Sequence, residues 1–149
     1  MSAGISLRAA LHDGFAIDTD PDRLDLERVH AWLSTDAYWA LGRDRDVVRR
    51  AAAASVNFGV YAPDGAQVGY ARLVTDGATF GWLCDVYIAP EARGRGIGTA
   101  LAQAIVAAVQ PLGMKRLMLA TADAHGVYEQ AGFVLHPDPQ QLMVLTPQP

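Results

Sequence analysis

Asp85-Val-Tyr-Ile-Ala-Pro-Glu-Ala-Arg-Gly-Arg-Gly-Ile-Gly-Thr99 is the stretch whose reading decides the fold. An apolar strand-like run ends at Ile88, Arg93 follows a short break, and Gly94, Gly96 and Gly98 lead into an alanine-rich helical pattern. Positions without side chains let backbone N–H groups close around an anion, and a helix N-terminus adds a favourable dipole. Arg93 and Arg95 can add charge-assisted hydrogen bonds to phosphate oxygens. The junction reads as a pyrophosphate cradle, against the plainer alternative of a glycine-rich strand-to-helix turn.

Two common phosphate motifs are excluded by spelling. A P-loop ends in Gly-Lys-Ser/Thr, and no lysine stands here; a dinucleotide fingerprint needs glycine where Thr99 and Leu101 stand. That fingerprint also wants an acid about 20 residues on, where the chain reads Arg116-Leu-Met-Leu. Arg-x-x-Gly-x-Gly, from Arg93, Gly96 and Gly98, resembles the coenzyme A loop of the GNAT (Gcn5-related) N-acetyltransferases.

Working outward, the chain divides into helices, then strands, then alternating elements. Ile5–Leu11 and Phe15–Asp18 read as short strands, and Asp20-Pro21-Asp22 as a helix start, with Leu26, Val29 and Leu33 at helical spacing. Tyr38 and Trp39 fall in a loop, and Asp44 caps a second helix to about Ala54. Val56–Ala62 and Gln67–Val74 flank a Pro63-Asp64-Gly65 turn, and Asp76-Gly77 marks another hairpin before Phe80–Ile88. A helix over Ile97–Gln110, a buried strand over Lys115–Ala120, a short helix capped by Asp123 and ended by Gly132, and a last strand over Leu142–Leu145 complete the order. This is a mixed α+β sheet in one domain over residues 1–149.

Val127-Tyr128-Glu129-Gln130-Ala131-Gly132-Phe133 resembles a second GNAT motif, Leu-Tyr-x-x-x-Gly-Phe, in the right order relative to the first. The resemblance covers about Val56 to Phe133 and implies a mostly antiparallel sheet that splays after Ile88. It implies that the backbone of Val86, Tyr87 and Ile88 pairs with the pantetheine of acetyl-CoA, and that the amides from Gly94 through Arg95, Gly96, Ile97 and Gly98 to Thr99 hold the pyrophosphate. By the same resemblance Tyr128 lies near the sulfur as the acid. Thr121 departs from the asparagine that many members carry seven residues before that tyrosine.

Acetyl transfer to an amine needs a proton acceptor, an acid and a group polarising the thioester carbonyl. The carbonyl donor implied is the N–H of Val86 or Ile88. Asp85 is a carboxylate in the apolar run Trp82-Leu-Cys-Asp-Val-Tyr-Ile88, so it has a partner or a task. Similarity to the polyamine-acetylating branch puts it near the bound amine as base or substrate contact; the alternative is a hydrogen bond to a neighbouring loop or to Arg72. His125, three residues before Tyr128, is a second candidate acceptor or an exposed surface residue. The family resemblance implies that the segment with Tyr38 and Trp39 forms one wall of the acceptor pocket, where aromatics suit an ammonium group; the alternative is two aromatics plugging the core edge. The alternative for Tyr128 is a core tyrosine packing beside Phe133.

Composition narrows the classes. The chain has 149 residues, 51% hydrophobic, with net charge −4 and one cysteine, Cys84. That excludes disorder and an intrachain disulfide, gives no basic patch for nucleic acid, and mildly favours a cationic substrate in a reducing, cytoplasmic setting. No apolar run approaches a membrane span and no leader pattern opens the chain. No His/Cys/Asp grouping has metal-ligand spacing. The expectation is an acetyl-CoA-dependent N-acetyltransferase acting directly, without a Cys84 intermediate, on a small polyamine- or amino-acid-like amine. The rivals are a non-catalytic acyl-CoA sensor and a protein N-acetyltransferase. Homodimers are common in this fold.

Overall fold

In the computed structural model, which describes residues 3–148, a six-stranded sheet runs in chain order from first strand to last. Strands β1 (Arg8–Ala10) and β2 (Ala16–Asp18) form a hairpin, then come helices α1 (Leu26–Asp36) and α2 (Arg45–Ala53). The meander β3 (Val56–Tyr61), β4 (Gln67–Thr75) and β5 (Phe80–Ile88) leads to helix α3 (Ile97–Val109), strand β6 (Arg116–Met118) and helix α4 (His125–Glu129). Every neighbouring pair is antiparallel except β5 and β6, which run parallel because α3 connects them.

Each face of the sheet is covered. On one, Val29 and Leu33 of α1 and Val48 of α2 pack with Tyr70 and Tyr87. On the other, Leu101 and Ile105 of α3 meet Phe58, Leu73 and Leu83. These burials follow from the 3.6-residue spacing of the helical apolar positions and the two-residue spacing of the strands. Tyr70 reaches across to donate its hydroxyl proton to Asn57, so a phenol in the core has its partner. Among the described residues no helix is long and apolar enough to cross a membrane.

The structure moves several sequence boundaries. Helix α1 starts at Leu26 with Asp25 as its cap, its carboxylate accepting from the Arg28 N–H; Asp20 instead caps a separate 3-10 turn over Pro21–Arg23. The α4 cap is not Asp123: Ala124 holds that position, and Thr121 Oγ1 accepts from the Ala124 N–H at 3.0 Å. Gly132, with φ +100°, does end α4, and the Phe133 N–H returns to the Tyr128 carbonyl at 3.0 Å while the two rings meet edge to face. No strand forms over Leu142–Leu145. A 3-10 turn at Pro139–Gln141 precedes that segment, and it lies exposed without a ladder partner.

Two irregularities of β5 position the site. It pairs with β6 only at Phe80–Arg116, Gly81–Leu117 and Trp82–Met118, so beyond Trp82 the two strands part. The β4–β5 register also shifts between Tyr70 and Arg72, where Asp85 takes φ +51°. One extra residue is absorbed there as a bulge, which bends a strand and re-aims side chains.

Candidate active site

The bulge decides where Asp85 points. Strict alternation would put it with Leu83 in the core beneath α3; instead it joins Cys84 on the face under α1 and α2. There its Oδ1 accepts from Trp39 Nε1 at 2.9 Å, and its Oδ2 from Arg43 at 2.8 Å and Arg72 Nε at 2.9 Å. Burial pushes the carboxyl up, but hydrogen bonds and charge from Arg43 and Arg72 outweigh it and hold the group below the usual carboxylate range. Both oxygens are therefore occupied and the group stays ionised. A carboxylate sealed by two guanidinium groups is a poor proton acceptor, which favours an anchoring role over the expected one of base. The Arg72 alternative holds. Arg43 and Trp39 were not foreseen as its partners, because no sequence spacing marks contacts across 42 and 46 residues.

Tyr38 and Trp39 span the mouth of the gap between the parted strands. Trp39 is tied to Asp85 on the β5 arm, while the Tyr38 hydroxyl accepts from the Ala122 N–H, on the loop after β6, at 3.0 Å. Their rings meet edge to face with centroids 5.0 Å apart, and both are exposed. They do not plug the core.

Tyr128 lines a groove beside β6, within electrostatic reach of Tyr38. Its ring packs against the α3-side core, and the phenol is pushed up to about 12, first by burial and then by Tyr38 and Asp123. The hydroxyl is therefore a proton donor throughout the neutral range. His125 opens α4 one turn earlier, exposed, and lines the same groove as Thr121 and Tyr128.

Beyond Trp82 the β6 side of β5 is unpaired among the described residues, and the glycine loop follows the end of that strand. The Ala89 N–H bonds to the Val68 carbonyl, so by ladder alternation Ala89 and Tyr87 address β4, and Val86 and Ile88 address the gap. Tyr87 is thus removed from the pairing edge. Its side chain is buried, stacked on Trp32, with its hydroxyl donating to Asp36 at 2.6 Å.

Gly94 and Gly96 both take left-handed φ, +77° and +75°, with Gly96 as the α3 cap. Among the described residues the amides of Gly94, Arg95, Gly96, Ile97, Gly98 and Thr99 find no acceptor. A Cβ on Gly94 would meet nothing within 4 Å, so the space beside the loop is open. These residues fit a pyrophosphate-bearing cofactor.

The two arginines divide. Arg93 is turned away from the cradle: its Nε donates to the Ile88 carbonyl at 2.8 Å and its terminal nitrogen to Asp36 at 3.1 Å, over the Tyr87 ring. It braces the loop against β5 and α1. Arg95 stays exposed beside Phe15, and its carbonyl accepts from His12 Nε2 at 2.6 Å, a tether from the first hairpin that no sequence pattern announced. No group of three or more His, Cys, Asp or Glu that could hold a metal ion occurs among the described residues.

The sequence profile of the Acetyltransferase (GNAT) family matches residues 26–133. A Gibberella zeae protein named "Putative acetyltransferase FG08082" is 34% identical over 128 residues, 73% of this chain and 72% of that protein. The crystal structure of a protein belonging to the GNAT family from Xanthomonas campestris pv. campestris superposes with a TM-score of 0.84 at 40% identity, covering 93% of this chain and 95% of that one. A spermidine N-acetyltransferase from Vibrio cholerae, solved with CoA and spermine, has a TM-score of 0.64 at 18% identity over 83% and 82% of the two chains, a likeness of fold alone.

Proposed function

This chain belongs to the Acetyltransferase (GNAT) family, an acetyl-CoA-dependent N-acetyltransferase by that membership, and we propose that it acetylates the primary amine of a small molecule by direct attack with both substrates bound. The observation that carries the proposal is the Tyr38–Trp39 bridge. It sets an exposed aromatic wall, able to hold an ammonium group, from β5 across to the loop after β6, with Tyr38 within electrostatic reach of Tyr128. Residues 1–149 are taken as one domain, and the lone thiol Cys84 supports a reducing, cytoplasmic setting.

Acetyl-CoA, when bound, supplies an activated thioester. The amides of residues 94–99 and the α3 dipole would hold its pyrophosphate, with Arg93 fixing the loop and Arg95 free to add charge. The gap-facing N–H of Val86 or Ile88 is the donor for the thioester carbonyl.

Tyr128 Oη donates a hydrogen bond to the departing sulfur. With its pKa at about 12, against ~8.5 for an ordinary thiol, outright proton transfer would be uphill by roughly 5 kcal/mol, so the phenol stabilises the thiolate without being ionised first. His125 takes the amine proton on the exposed side of the groove. Asp85 serves as a positioning residue that anchors Trp39. Burial pushes the Cys84 thiol up, which supports direct transfer over a cysteine intermediate.

The charge of the anchor selects between the two acceptor classes. One carboxylate between Arg43 and Arg72 leaves the cluster net positive, which repels a polycation and suits an acceptor carrying an anionic group near its amine. An amino-acid-like acceptor is therefore preferred over a polyamine.

A thiol-release assay across amino acids, their amides and spermidine tests this. We expect turnover on carboxylate-bearing amines, and Tyr128→Phe should lower kcat about 10- to 100-fold while acetyl-CoA affinity stays within twofold. Preference for spermidine would overturn the acceptor class. Intact acetyl-CoA binding with no turnover on any amine would make the protein a sensor.

A further inference from the structure

Asp36, the last residue of α1, carries contacts that the acetyl-transfer chemistry does not itself require. Its Oδ2 accepts from the Tyr87 hydroxyl at 2.6 Å and from Arg93 at 3.1 Å. Arg93 in turn donates from Nε to the Ile88 carbonyl at 2.8 Å and lies over the Tyr87 ring, 5.3 Å from its centroid. One carboxylate on α1 therefore sets Tyr87 and Arg93 directly, 51 and 57 residues along the chain, and Ile88 through Arg93. By ladder alternation Ile88 addresses the unpaired side of β5. With its carbonyl taken by Arg93, its N–H is the group left for a ligand.

Asp36 also stands at the root of the aromatic wall. The chain leaves α1 through the buried Ala37 and reaches Tyr38 and Trp39 at once, in a turn closed by the Ala40 N–H to the Ala37 carbonyl at 2.9 Å. In so short a turn, the direction in which α1 ends governs where both rings lie. The Asp36–Arg93 pair is half exposed on both sides, and such pairs add little to stability. Its consequence is geometric.

Resting on the acetyl-CoA reading above, we infer that Asp36 is a positioning residue shared by both halves of the site. It holds Arg93 on the Ile88 carbonyl and off the pyrophosphate, and it ties the Tyr38–Trp39 wall to the cofactor loop. A cofactor seated in the loop then stiffens the Arg93–Asp36 contact and, through the end of α1, the acceptor wall.

Asp36→Asn keeps an oxygen for the Tyr87 hydroxyl and removes the charge that holds Arg93. Calorimetry with CoA should show binding about 10-fold weaker, with the melting temperature within about 3 °C of wild type. Asp36→Glu, which keeps the charge, should recover most of the affinity. Arg93→Met reads the same contact from its other end, should the Asp36 variant not fold, and the double variant should bind no more weakly than either single one. For the wall, Trp32→Phe with Trp82→Phe leaves Trp39 as the lone tryptophan. Saturating CoA should lower acrylamide quenching of its fluorescence about twofold, and Asp36→Asn should abolish that protection. If this background does not fold, the Trp39 resonance of 5-fluorotryptophan-labelled protein reports the same change. Affinity for CoA that is unchanged or higher in Asp36→Asn overturns the inference, the higher value because it would put the released Arg93 on the phosphates. A Trp39 signal indifferent to bound CoA in the wild type also overturns it. Wild-type protein that binds no CoA instead removes the cofactor reading beneath it.

Discussion

Replacing Asp85 with asparagine separates an anchor from a base. The side chain of Asp85 is 3% exposed, and its partners Arg72 and Arg43 are 16% and 21% exposed. Asparagine keeps an oxygen for Trp39 Nε1 and tolerates the left-handed backbone at φ +51°, so the substitution removes mainly the charge. Two guanidinium groups are then left in a largely dry site with no counter-charge, a loss of about 3–5 kcal/mol. For a chain of this length that lowers the melting temperature by roughly 6–20 °C. Arg43→Met should cost less than half as much, because Arg72 still neutralises the carboxylate.

The sign with pH follows from the depressed folded pKa of Asp85. Its contribution is full above the unfolded value of ~3.9 and disappears as pH falls through the lower folded value. Urea titrations from pH 7 down to about 3 should therefore show an acid loss in the wild type that is flatter in Asp85→Asn. If Asp85→Asn were as stable as wild type at pH 7 while kcat fell 100-fold or more, the anchor argument would fail and the carboxylate would be acting on a proton.

Two further outcomes follow from the cofactor side and from Tyr128. Gly96→Ala places an L-residue at φ +75°, where the His12 ring at 3.9 Å is no obstacle, so the cost is backbone strain of about 1–2 kcal/mol; calorimetry should show acetyl-CoA binding roughly 10-fold weaker, and unchanged affinity would remove the loop from the cradle. Because burial holds the Tyr128 phenol at about 12, kcat should show no alkaline fall up to about pH 10.5; a fall near pH 9–10 that vanishes in Tyr128→Phe would contradict the donor role.

Much of the frame was legible in one dimension. Gly94 and Gly96, after a strand and before a helix, announce a left-handed loop with open amides because few side chains permit that backbone. Turn chemistry at Pro63-Asp64-Gly65 and Gly132 sets the meander and the end of α4, since these are local backbone preferences. Other elements were misjudged where the outcome is not local. Leu142–Leu145 reads as a strand by composition, yet a strand exists only with a neighbour to bond, and this segment is paired with none.

Sequence alone determined the order of elements from β3 to α4, the glycine loop that opens α3 and the family to which the chain belongs, all carried by short-range patterns in contiguous residues. Tertiary structure alone decided which groups are free to act. Arg93 is held by Asp36, Asp85 by Trp39, Arg43 and Arg72, and Tyr87 by Asp36, through partners 13 to 57 residues away. Availability of a charged side chain depends on what folding brings within hydrogen-bonding distance of it, and a one-residue bulge at Asp85 is enough to turn that carboxylate toward Trp39, Arg43 and Arg72.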